Sequence, residues 1–108
     1  TSCSRYDALT IGYFCKEDFE KCISWGEKIQ YMGASTWLMI LFSISKIDEI
    51  SKVKDHSIYK KYENNFKEIN WENTVHNIHF RPEDEKHSNL LEFSNKIFPN
   101  IKIVEKTA

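Results

Sequence analysis

"STWLMILFSIS", residues 35–45, is the stretch whose reading decides the fold. Its centre, Trp37–Phe42, is six apolar residues in a row. Such a run fits either a strand covered on both faces or a helix enclosed on all sides. The length and the preceding Gly33 favour a central strand. The run is far too short to cross a bilayer, which needs roughly 20 apolar residues.

The flanks supply the rest of a layered pattern. "ALTIGYF", residues 8–14, is short, β-prone and bounded by polar residues, so it reads as a strand. Helical spacing follows over residues 16–32. Cys15, Phe19, Cys22, Gly26, Ile29 and Gly33 recur at intervals of three and four, flanked by Ile23, Trp25 and Met32. Lys16, Glu17, Glu20, Lys21, Glu27 and Lys28 fall on the other side. Gly33 is a natural helix stop, and Gly26, on the apolar face, would let a strand come close.

After the apolar run, Ser45 with Asp48 resembles a capping box, so a helix is expected from Lys46. Its phase, set by Ile47, Ile50 and Lys54, does not match that of Ile58, Tyr62, Phe66 and Ile69. A break is expected at "KDHS", residues 54–57, with Asp55 or Ser57 capping a second piece. "NTVHNIHF", residues 73–80, reads as a third strand. Pro82 then opens a helix with Glu83, Asp84 and Glu85 in its first turn, where the dipole favours acids. Leu90, Leu91, Ser94, Ile97 and Phe98 would face inward, Pro99 would end the helix, and "NIKIVEK", residues 100–106, would be a last strand. The order is β-α-β-α-β-α-β. It predicts one α/β domain over residues 1–108 (α+β is the variant), with a four-stranded mixed sheet and about three helices.

Composition narrows the function classes. The 108 residues are 41% hydrophobic and 14% aromatic, enough for a real core and against disorder. Fifteen basic residues face 16 acidic ones, so the basic excess typical of nucleic-acid binders is missing. There is no glycine-rich phosphate loop, Gly-x-Ser-x-Gly, Walker lysine or calcium loop, and no cofactor is expected. Three cysteines contain no Cys-x-x-Cys. Cys15 and Cys22, seven apart on one helix, would lie about 10 Å apart, too far for a disulfide. Residues 1–4, "TSCS", also fit the end of a bacterial lipoprotein signal with Cys3 acylated. Ordinary truncation is the simpler reading, and a cytoplasmic protein is expected.

The richest polar segment is "HNIHFRPEDEKH", residues 76–87. On a strand, His76 and His79 point to opposite faces and cannot chelate one ion, so no metal is expected. His76 or His79, with His56 and Arg81, could in principle cleave RNA by acid–base catalysis. The acids at 83–85 would repel the phosphate backbone. A binding role fits better. Glu83, Asp84 and Glu85, rimmed by His79, Phe80 and Trp71, would suit another protein with a basic surface. Trp71 and Tyr59 are residue types that anchor interfaces, and Tyr59 falls off the inward face of its helix. Small size, an abundance of Lys, Ile and Asn that suggests an AT-rich coding genome, and the lack of a catalytic motif point to a bacterial inhibitor. An immunity protein that neutralises a toxin is the expected class. The alternative is a small metal-independent hydrolase or nuclease using His76/His79 with Arg81.

Overall fold

A computed structural model describes residues 4–66, 68–76 and 85–98. Among these residues there are helices and no strand. In chain order they are α1 (Ser4–Cys15), α2 (Phe19–Gly26), α3 (Ala34–Ile47), a 3₁₀ segment (Ile50–Asp55), α4 (Ser57–Phe66), α5 (Trp71–His76) and α6 (Glu85–Ile97). The fold is all-α, and the expected α/β sheet is overturned. Contacts group the chain into two compact units, Thr1–Glu63 and Asn64–Ala108.

The decisive correction is at residues 35–45, which lie in α3. Gly33 is not a helix stop here. Its extended backbone (φ −90°, ψ 156°) is the N-cap of the next helix, and its carbonyl accepts the Trp37 N–H at 2.9 Å. Every residue from Thr36 to Ile44 is buried. A helix enclosed on all sides shows no wet stripe, so its sequence carries no 3.6-residue rhythm. The two serines fit a helix as well. Ser43 Oγ donates to the Met39 carbonyl at 2.9 Å, and Ser45 Oγ to that of Phe42 at 2.6 Å. Helical serines satisfy buried hydroxyls by this back-bonding.

Residues 8–14, expected as a strand, belong to α1, where Thr10 and Phe14 are buried one turn apart. The helix expected over 16–32 is shorter. Glu17 adopts a left-handed conformation, φ 64°. Around it the Glu17 N–H bonds the Phe14 carbonyl at 3.0 Å and the Asp18 N–H bonds that of Tyr13 at 2.9 Å. This is the Schellman pattern that terminates helices. Asp18 then caps α2, its Oδ1 accepting the Lys21 N–H at 3.4 Å.

Helices α1, α2 and α3 share one core. Phe14, Phe19 and Phe42 meet edge to face, with ring centroids 5.8–6.4 Å apart. Gly26 is buried against Ile40, and a Cβ there would lie 2.8 Å from Ile40 Cγ1. The close approach expected at Gly26 therefore exists, but helix α3 makes it rather than a strand. Val53 anchors the 3₁₀ segment in this core.

The expected break at 54–57 is present, since the 3₁₀ segment ends at Asp55 and α4 begins at Ser57. The capping group is the residue between the two that were expected: His56 Nδ1 accepts the Ile58 N–H at 3.1 Å. The helix expected from Lys46 does not start there, because α3 runs on to Ile47 and Asp48 Oδ1 accepts the Glu49 N–H at 2.8 Å. Trp37 ties α3 to α4. Its indole N–H donates to the Ile58 carbonyl at 3.0 Å, and its ring stacks on Tyr59 at 5.6 Å.

In the second unit, residues 73–76 of the expected third strand lie in α5. Asn70 caps it, accepting the Asn73 N–H at 3.0 Å. Trp71 and Val75 are buried, and Trp71 stacks on Phe98 at 4.9 Å. Helix α6 buries Leu90, Ser94 and Ile97, as its spacing implies, together with His87 and Phe93. The rest of the third strand, the Pro82 helix start, Pro99 and the expected strand at 100–106 lie outside the described residues.

Candidate functional site

Of the residues proposed from sequence to touch a partner, Glu83, Asp84 and His79 lie outside the described residues, as do Phe80 and Arg81. Glu85 is exposed as the first residue of α6. Trp71 is buried in the second unit. Tyr59, expected off the inward face of its helix, is buried too. Burial, and then the nearby Glu63 carboxylate, push its phenol above the usual range. His76 is the last residue of α5, and His56 is part of the α4 start.

The thiols have distinct environments. Cys15 is exposed and Cys22 buried, and they are not bonded to each other. Burial pushes the Cys22 thiol up to about 11, the Ser43 hydrogen bond offsets part of this, and Cys15 adds to it. A thiol so placed stays protonated at neutral pH, and the thiolate is the nucleophile and metal ligand. Among the described residues, no three His, Cys, Asp or Glu side chains come together as a metal site. None of their helices is long and apolar enough to cross a membrane.

Two surface features of the first unit stand out. The first is the uninterrupted exposed run of residues 46–52, "KIDEISK", where α3 passes into the 3₁₀ segment. Ile47 is 51% exposed and Ile50 is 44% exposed. Asp48 and Glu49 stand between them and make no ion pair among the described residues. Lys46 is drawn back over the Phe42 ring, 5.1 Å from its centroid. Pattern reading assigned Ile47 and Ile50 to a buried helix face. The charged residues on every side of them were the contrary signal.

The second feature is an open cleft of about 230 Å³ between the end of α2 and the start of α4. Gly26, Glu27, Ser57, Ile58, Lys61 and Tyr62 line it. Gly26 and Ile58 are buried, Tyr62 is half-buried, and Glu27, Ser57 and Lys61 are exposed. Lys61 Nζ lies 5.3 Å from the Tyr62 ring centroid. Sequence spacing had not joined these residues, since they come from helices some thirty positions apart. No known family, curated protein or solved structure matches the chain at a significant level.

Proposed function

We propose that the chain works by binding another protein, as a small inhibitor of the immunity-protein kind that neutralises a toxin by direct contact. The observation that carries this reading is the pair Ile47 and Ile50, 51% and 44% exposed on one continuous exposed stretch. Burying one such aliphatic side chain is worth about 1.5–3 kcal/mol. Two of them, closely spaced on either side of two acids, offer a partner apolar contact area beside charge. Asp48 and Glu49 give the patch an acidic middle, so a partner with an apolar pocket and a basic rim fits it. Acids at such a position act mainly on the association rate and on partner choice. Glu85 and its neighbours in sequence remain a second acidic contribution to the same preference for a basic partner.

The test is capture of the partner from the source cells, in parallel with the parent chain and an Ile47→Ser/Ile50→Ser variant of unchanged melting temperature. The captured protein is then expressed alone and with each chain. We expect it to be toxic alone, suppressed by the parent and not by the variant. A partner held equally by both chains would move the binding surface elsewhere. A partner whose activity the parent leaves untouched would end the inhibitor reading.

A further inference from the structure

We propose that the cleft between α2 and α4 binds a small zwitterion of the α-amino-acid type, with its ammonium on Glu27 and its carboxylate on Lys61 and Ser57. The volume, about 230 Å³, lies below the roughly 300–1,000 Å³ of pockets for drug-sized ligands and suits something the size of one residue. The lining is dipolar. Glu27 comes from the α2 wall, and Ser57 and Lys61 come from the α4 wall. The two opposite charges do not pair with each other. Glu27 makes no ion pair among the described residues, and Lys61 is held at its own wall over Tyr62.

The backbone at the α4 start is already satisfied, so it does not define the ligand. Ile58 N–H bonds His56 Nδ1 at 3.1 Å, and the Tyr59 and Lys60 N–H groups bond the His56 carbonyl at 3.1 and 3.2 Å. Recognition therefore falls to side chains. The charge of Glu27 also runs against the helix end that carries it. Glu27 sits at the C-cap of α2, whose last turn has no basic residue, and no acid stands in the first turn of α4. Helix ends favour the opposite arrangement, cations at the C-terminus and anions at the N-terminus. A ligand with its ammonium at the α2 end and its carboxylate at the α4 end corrects both at once. A simple anion would meet Glu27, and a simple cation would meet Lys61. Ile58 and Tyr62, also in the lining, offer apolar contact to the side chain that branches from the carbon bearing both charges. This cleft is separate from the exposed stretch 46–52, and it would bind such a ligand whether or not the chain inhibits a toxin.

The experiment titrates the ¹⁵N-labelled chain with free leucine, N-acetylleucine and leucinamide, following backbone amide shifts. Free leucine should move residues 26, 27 and 57–62 saturably. Each blocked analogue should bind about fivefold more weakly, the scale of one exposed ion pair. Glu27→Gln should erase the advantage of leucine over N-acetylleucine, and Lys61→Gln its advantage over leucinamide. Both substitutions are at exposed positions, and unchanged melting temperatures verify the fold. Absence of shifts, shifts centred elsewhere, or equal titrations with all three compounds would overturn the assignment.

Discussion

Adding one methyl group at Gly26 tests how the first unit is held together. Gly26 is buried, and its neighbour Ile40 is fully enclosed in α3. A Cβ at position 26 would sit 2.8 Å from Ile40 Cγ1 and closer still to the terminal Cδ1 methyl. Favourable carbon–carbon contacts lie near 3.5–4.0 Å, so about 1 Å must be found. The Cδ1 methyl could swing aside in a loose site, but Cγ1 moves only if Ile40 leaves the χ1 rotamer that a β-branched residue strongly prefers in a helix, and Ile40 is fully buried. Helix α2 must lift from α3. Overpacking of this kind costs about 1–3 kcal/mol. The helix propensity gained on replacing glycine by alanine is at most about 1 kcal/mol, and less at position 26, the last residue of α2.

Gly26→Ala should therefore lower the melting temperature, by about 4–8 °C for each kcal/mol lost in a domain of this size. Ile40→Val removes Cδ1 and should by itself cost about 0.5–1.5 kcal/mol. Combined with Gly26→Ala it should cost less than the sum of the two, by about 0.5 kcal/mol or more, because the nearer of the two clashing atoms, Cδ1, is gone. Circular dichroism during thermal and urea unfolding measures all four corners of the cycle. Additive effects, or a Gly26→Ala chain as stable as the parent, would show that α2 and α3 do not meet at this point.

Three further predictions concern single residues. Cys22 ionises near 11 in the folded chain against an ordinary 9.0, so between those values the unfolded chain binds fewer protons. Stability should fall as pH rises from 9 to 11, by on the order of 2–3 kcal/mol in all, and a Cys22→Ala chain measured by urea unfolding should lack that component. Glu17 holds φ 64°, a conformation that costs an ordinary residue about 1–2 kcal/mol; Glu17→Gly should raise stability by about 0.5–1 kcal/mol, and a drop in melting temperature would contradict the helix end drawn there. Trp37→Phe removes the donor to the Ile58 carbonyl and should cost about 1–3 kcal/mol, with faster amide hydrogen exchange over the first turn of α4 as the local sign.

The parts of the fold legible in the sequence are those where one helix face is wet. Leu90, Ser94 and Ile97 marked the inward side of α6, with Glu92 and Lys96 exposed on the other. The break at residues 54–57 is real, although Ile47 and Ile50, whose phase was compared with that of Ile58 and Tyr62, are exposed. Gly26 was legible as a close approach, since a glycine within an apolar stripe has few other uses. The sheet was a misreading centred on α3. Trp37–Ile44 has no wet face, so periodicity does not separate a strand from a helix there, and a glycine such as Gly33 suits a helix stop and an N-cap alike. Eleven residues is long for a strand and ordinary for a helix, so the length set down in favour of a strand argues for the helix that is found. Residues 8–14 invite a strand on their own, being short, β-prone and bounded by polar residues, yet they lie in α1.

The candidate sites were illegible for a different reason. Sequence pattern assigns faces, but burial depends on what another element covers. Tyr59 fell outside the apolar stripe of α4, yet Trp37 of α3 stacks on it and removes it from the surface. Ile47 and Ile50 fell inside a stripe, yet α3 ends at Ile47 and the 3₁₀ turn that follows buries Val53 instead. The stripe thus leaves the core at the end of α3, with two isoleucines in water around two acids. An apolar side chain kept exposed there gains nothing for folding and adds risk of association. Local choices that work against the fold concentrate where a protein meets something else. On that ground residues 46–52 are a better first target for mutagenesis than the more conspicuous histidines and acids of 76–87.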